Sequence, residues 1–165
     1  MHRLVLACGL MIALVAIVDP SAREWTASQD LPAGPGQETT VRLCQGCHPI
    51  DRVVSTRHSN AEWIAVVEKM VTEGAEGKEE ELNQVIDYLT DQYGKPVTIN
   101  TATAAQIVDG LGLDENDAKA IVAFRPGHPA FASWQDVASV PGVDAVWIER
   151  RQKNLTFGSV TVSLP

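Results

Sequence analysis

At 165 residues the chain has room for one or two small domains, and its apolar content of 45% is ordinary for a protein with a packed core. A formal net charge of −8 argues against a general nucleic-acid binder, which carries a basic face, and favours partners with basic patches. Met1-His2-Arg3 followed by the apolar run Leu4 to Val18 fits the charged start and hydrophobic centre of a secretory signal. That run is short for a membrane span, which needs roughly 20 residues, so residues 1–22 are expected to direct export. Pro20 disfavours cleavage after Ala22, and an uncleaved N-terminal membrane anchor is the alternative. Cys8 follows too few apolar residues for a lipoprotein signal and belongs to the same segment.

Residues 23–36, with Pro32, Gly34, Pro35 and Gly36, have linker composition, and order is expected to begin near Gln37. Val41, Leu43, Cys44 and Cys47 then predict a short amphipathic helix ending in Cys44-Gln45-Gly46-Cys47-His48, with Pro49 as its stop. Two thiols three positions apart on one helical turn can each add to a vinyl group of haem. The histidine that follows then presents its imidazole to the iron. This is the signature of covalent c-type haem attachment, and an export signal in the same chain strengthens it, because attachment takes place outside the cytoplasm. Other uses of these residues fit less well. Structural zinc wants four ligands from two separated pairs, a thioredoxin-like pair sits in a βαβ setting, and a disulfide between residues 44 and 47 closes a very small loop for little entropic gain.

Asn60 is expected to cap a second helix, with Trp63, Ile64, Val67, Met70 and Val71 on its apolar face and Gly74 at its end. A third runs from about Lys78 to Tyr93, with Leu82, Val85, Ile86 and Leu89 on one face, closed by Gly94 and Pro96. Residues 37–96 thus read as three helices around one prosthetic group, with Trp63, Val67, Ile86 and Leu89 as its apolar shell. Two thioether bonds would staple a core that is thin for its size. Glu73, Glu76, Glu79, Glu80 and Glu81 form an acidic cluster, either a solvated face favourable at a helix N-terminus or a docking patch for a basic redox partner.

At Val97 the pattern changes, and residues 97–157 read as a second module. Thr103 with Gln106 and Ser133 with Asp136 have capping-box spacing. Gly112-Leu113-Asp114 and Gly142-Val143-Asp144, thirty residues apart, each lead into a helical stretch, Asp117 to Phe124 and Ala145 to Leu155. Four short helices joined by two hairpins make a two-copy unit, so the expected fold class is all-α throughout. The tail, residues 158–165, alternates Val160, Val162 and Leu164, which suits a short strand or, as preferred here, a frayed end.

The segment Cys44 to Gly94, with C-Q-G-C-H, Trp63, Met70 and Tyr88-Leu89, resembles the small class I cytochromes c of bacterial periplasmic electron transfer. The resemblance implies one haem c bound covalently through Cys44 and Cys47, with His48 as the proximal axial iron ligand and Met70 as the distal one. Counting donors supports Met70 separately, since Met1 and Met11 lie in the export segment. His58, or an open sixth position, is the alternative. His128, in Pro126-Gly127-His128-Pro129, reads as a turn residue. His/Met ligation suits outer-sphere electron transfer, whereas an open position would admit small molecules. Residues 37–96 hold no nucleophile, base and acid set for another reaction, so an electron carrier rather than an enzyme is expected.

Ile99 to Phe157, with I-N-T-A, A-K-A-I-V-A-F-R, F-A-S-W-Q-D-V and V-P-G-V, resembles the tandem helix-hairpin-helix domain of competence-type DNA receptors and DNA-repair proteins. That family binds backbone phosphate through main-chain N–H groups at a Gly-apolar-Gly hairpin. Here Asp114 and Asp144 replace the second glycine, where a carboxylate can cap those N–H groups and repels a phosphate. Residues 97–165 hold seven acids against five cations, and Arg150, Arg151 and Lys153 form their one basic cluster. Affinity for DNA, which requires several phosphate contacts, is therefore not expected, and the module should pack against the first or dock it to a partner. The combined expectation is an exported monohaem c-type cytochrome, periplasmic or anchored to the inner membrane. It would pass single electrons between a redox-protein donor and acceptor, such as a periplasmic dehydrogenase. A periplasmic DNA-binding protein with a haem domain and a haem-based sensor are the alternatives.

Overall fold

Residues 31–158 are the part of the chain that the computed structural model describes. The export or anchor segment 1–22, linker residues 23–30 and tail residues 159–165 lie outside the described residues. The described chain is mostly helical. Its first part holds α1 (Gln37–Cys44), α2 (Ile50–Val54), α3 (Asn60–Thr72) and α4 (Glu79–Tyr93). The second holds β1 (Val97–Thr98), α5 (Ala104–Leu111), α6 (Glu115–Phe124), α7 (Trp134–Ala138), α8 (Ala145–Arg150) and β2 (Leu155–Thr156).

Each part closes on its own apolar core. In the first, Ile50, Trp63, Val67, Val85, Tyr88 and Leu89 are buried together. In the second, Ile99, Ile107, Leu111, Ile121, Val137 and Ile148 are fully buried. β1 and β2 pair in parallel, Val97 opposite Leu155 and Thr98 opposite Thr156, and so fasten the two ends of the second module to each other.

The first part departs from the sequence reading in four places. Ser59, not Asn60, caps α3: its hydroxyl accepts from the Glu62 N–H at 3.2 Å while the Glu62 carboxylate accepts from the Ser59 N–H at 2.7 Å. This reciprocal capping box satisfies two donors where a lone cap satisfies one, and Asn60 is left free to donate to Thr90 Oγ1 at 3.1 Å. α2 adds a fourth helix where three were expected, starting directly after Pro49. α1 ends at Cys44, so Cys47 sits in the turn beyond it and the two thiols do not share a helical turn; Gly46 between them is a poor helix former. Finally, residues 31–36 pack rather than link. Leu31 is buried, Tyr88 Oη donates to Pro32 O at 2.8 Å, and Gly36 adopts φ +88° where a Cβ would lie 2.5 Å from Gln84 O.

In the second part both capping boxes form, Thr103 with Gln106 and Ser133 with Asp136. Gly112 ends α5 in the left-handed conformation, at φ +66°, and Gly142 takes the same conformation at φ +88° in the turn beyond α7. Asp114 Oδ1 then accepts from the Asn116 N–H at 2.7 Å, and Asp144 Oδ1 accepts from Val146 and Trp147 at 2.9 and 3.2 Å. The last helix stops at Arg150 instead of reaching Leu155. A 3₁₀ turn, Gln152–Asn154, follows, and the chain turns there to carry Arg151 and Asn154 onto α4.

That contact joins the modules. On α4, Asp87, Thr90 and Asp91 fall on one face by helical spacing, opposite Leu82, Val85 and Leu89, and Gly94 follows directly after the helix. The first set meets the second module. Arg151 pairs with Asp91 and Asp87, the latter at 2.9 Å; Arg150 pairs with Asp91 at 3.0 Å; and Asn154 Nδ2 donates to Thr90 O. Gly94 has no room for a side chain, because a Cβ would lie 2.6 Å from Asn154 Nδ2. Nearby, Gly112 of the first hairpin lies against the Asn60 side chain, 2.7 Å from where its Cβ would be.

Candidate functional site

A cavity of about 510 Å³ opens between the segment after α1, the inner face of α3 and the front face of α4. Cys44, Cys47 and His48 line one side, Trp63, Val67 and Met70 come from α3, and Leu82, Val85 and Leu89 come from α4. The volume is that of an ordinary small-molecule or cofactor site. Ile86 packs against the same core but does not line the cavity, and Ile64 points outward at 37% exposure. The expected apolar shell is thus supplied by Val85 and Leu82 in place of Ile86.

Each wall is held by a nameable set of bonds. α1 is tied to α4 by the Arg42–Glu81 ion pair at 2.7 Å and by Thr39 Oγ1 donating to Gln84 Oε1 at 3.1 Å. The Trp63 indole is buried, and its N–H donates to Tyr93 O at the end of α4 at 3.4 Å. His48 Nδ1 lies 3.2 Å from Pro49 O. A carbonyl can only accept, so the proton belongs on Nδ1, which leaves the Nε2 lone pair for a metal.

The two thiols are unpaired, Cys44 half-buried and Cys47 exposed. Burial pushes the Cys44 thiol up to about 11, so it is protonated at neutral pH. A redox-active pair or a metal thiolate depends on a lowered value; a thioether carries no charge and suits an apolar wall. Met70 is half-buried between Val67 and Val71 on the cavity side of α3. Among the described residues no three or more His, Cys, Asp and Glu side chains gather closely enough to hold a metal ion by themselves. A porphyrin supplies four of an iron's ligands, so two protein donors would complete it, and the residues present fit that group.

His58, the alternative to Met70 in the sequence reading, also lines the cavity. Its backbone is the reason: the His58 N–H donates to Tyr93 O and its carbonyl accepts from the Lys95 N–H, at 3.2 and 2.9 Å. The ring stands edge-on to Trp63 at 4.5 Å, with Nε2 2.9 Å from Thr56 Oγ1. Arg52 and Lys69 also line the cavity, and no local pattern marked them. His128 lies far along the chain in its turn, stacked on Phe124 at 3.5 Å.

The cations of the second module are all engaged within the chain. Lys119 pairs with Glu115 at 2.7 Å, Arg125 donates to Ala102 O and Ile99 O, Arg150 and Arg151 pair with Asp87 and Asp91, and Lys153 donates to Gln92 Oε1. At the second hairpin Asp117 Oδ2 also accepts from the Asp144 N–H at 3.1 Å.

Residues 92–156 match the family described as helix-hairpin-helix motif. The second module is a helix-hairpin-helix module. Among curated proteins, the human endonuclease/exonuclease/phosphatase family domain-containing protein 1 is 43% identical over 54 residues, which are 33% of this chain and 10% of that protein. The mouse and rat proteins of the same name are each 41% identical over 54 residues, with the same coverage. This chain spans about a tenth of the length of these relatives. No solved structure matches.

Proposed function

We propose that residues 31–96 bind one haem c covalently and carry single electrons between protein partners outside the cytoplasm, with the helix-hairpin-helix module as a packing partner. The supporting observation is that Cys44, Cys47, His48 and Met70 line a single apolar cavity. Cys44 and Cys47 would form the thioethers, His48 would give its free Nε2 to the iron, and Met70 would give its thioether sulfur. Haem, when bound, supplies a one-electron iron couple. Trp63, Val67 and Leu89 exclude water from the cavity and so help set its potential. His48 and Met70 would supply the iron's two remaining ligands, and so the reading is of a carrier rather than an enzyme. Its donor and acceptor would be redox proteins, a periplasmic dehydrogenase among them, and its place the periplasm or the outer face of the inner membrane.

The test is to export the chain in a host that attaches haem c, denature it, extract with acidified acetone and stain for haem. Colour staying on the polypeptide is the expected result; a colourless chain overturns the reading. Met70→Ala should abolish the weak sulfur-to-iron band at the red end of the oxidised spectrum and let carbon monoxide bind the reduced form. An unchanged spectrum would show that Met70 only fills space.

The motif match favours a second reading, a DNA-binding protein with a haem domain. Against it stand the two aspartate caps and the engagement of every cation from residue 97 to 158 within the chain. Phosphate binding requires free cations or free N–H groups. In a gel-shift titration at low salt the chain should leave DNA unshifted; tight, salt-dependent binding would restore the second reading.

A further inference from the structure

We infer that Arg151 is a positioning residue for the cavity: through Asp87 and Asp91 the helix-hairpin-helix module grips the back of α4 and sets the wall that α4 presents at its front. The inference rests on the haem reading above.

Arg151 is fully buried, and its planar fork spends its donors on two modules at once. Nε donates to Leu111 O at the first hairpin at 2.8 Å. Nη1 donates to Asp87 O at 2.9 Å and to the Asp91 carboxylate, and Nη2 donates to Asp87 Oδ1 at 2.9 Å. The Trp147 ring lies 4.6 Å from the guanidinium carbon, with Arg150 against the same ring at 4.8 Å. An exposed ion pair swings with its long side chains and holds little. A desolvated fork with four directed bonds fixes the distance between what it joins.

What it holds is a helix with consequences at its other face. Val85 and Leu89 line the cavity from the front of α4. The carbonyl of Tyr93 at its end accepts from the Trp63 indole and from the His58 backbone. These four lining residues therefore keep their places only while α4 keeps its own, and a helix moves as a rigid element. Release of α4 would admit water beside the iron, favour the more highly charged oxidised state and lower the potential.

The experiment uses the full haem-loaded chain with Arg151→Met and Arg151→Lys, reading the reduction potential and the affinity of the oxidised form for imidazole. Lys119→Ala is the control, since it breaks an exposed ion pair within α6 that touches neither α4 nor the cavity. Both Arg151 variants should lower the potential and bind imidazole about fivefold or more tightly, Lys less than Met, while Lys119→Ala changes neither. If Arg151→Met does not fold, Arg151→Lys and Arg150→Ala carry the test, the latter with a smaller shift of the same sign. Variants that melt earlier yet keep the potential and imidazole affinity of the parent would overturn the inference and leave Arg151 a stabilising residue only. A parent chain that takes up no covalent haem overturns the haem reading and this inference together; a loaded parent with unresponsive variants overturns this one alone.

Discussion

On the haem reading, the paired substitution Cys44→Ala and Cys47→Ala should leave the purified chain without covalent haem and residues 31–96 largely unfolded. Seven buried apolar side chains form the core there, and a cavity of about 510 Å³ sits among them. Left empty, a cleft of that size opens apolar lining to water and deprives it of the contacts an occupant would make. The chain has two ways out, flooding the cavity or collapsing α1 and α2 into it, and each gives up the native packing of Trp63 and Leu89. Far-ultraviolet circular dichroism and haem staining check this directly. The double variant should lose a large part of its helical signal, while the separate core around Ile107 and Ile121 keeps the rest. A variant with the full helical signal and no haem would show that this core does not need its occupant.

Asp91→Ala should lower stability by about 3–5 kcal/mol, because it leaves the guanidinium of a fully buried arginine short of a partner. Asp87 still receives Nη2 of Arg151, but it is partly exposed and takes one arm of the fork. For a chain of this size the change corresponds to a fall in Tm of roughly 10 °C. The companion Asp91→Leu with Arg151→Met, which removes both charges, should recover most of the loss. Thermal melts of the two single variants and the double complete the cycle, and additive losses would show that the pair is not coupled.

Local signals carried much of this architecture. The spacing Thr103 to Gln106 and Ser133 to Asp136 marked helix starts that the structure has at the expected residues, and Asp114 and Asp144 cap as their place after Gly-apolar suggested. α3 and α4 were legible because thirteen and fifteen residues show their period clearly. α2 was not, since five residues hold barely more than one turn. Ser59 and Asn60 stand side by side as good caps, and only the reach of Glu62 back to Ser59 separates them. The β1–β2 pair is two residues long and joins positions 58 apart, which no local pattern can announce.

At the candidate site Cys44, Cys47, His48 and Met70 were visible as residues, and the cavity that gathers them was not. His58 stood in the sequence only as the alternative to Met70, because its place comes from a backbone bridge to Gly94, a partner 36 residues away. The same limit hid the meaning of Arg150 and Arg151. Read along the chain they are a basic cluster ending a helix; their counterparts Asp87 and Asp91 lie some sixty residues earlier. Tyr88, similarly, stood in the sequence only as half of the Tyr88-Leu89 pair, but its hydroxyl reaches back to Pro32 and turns apparent linker into packed chain.

The grip of α8 on α4 also bears on timing. A polypeptide leaving a ribosome or a translocation pore delivers Asp87 and Asp91 well before Arg150 and Arg151, so both carboxylates stay hydrated and α4 stays loosely seated until the late residues emerge. For that interval the CQGC thiols sit beside an unfinished wall, open to whatever chemistry must reach them. Arrival of residues 150–156 then latches helix and two-strand clasp in one event, closing the window from the far end of the chain.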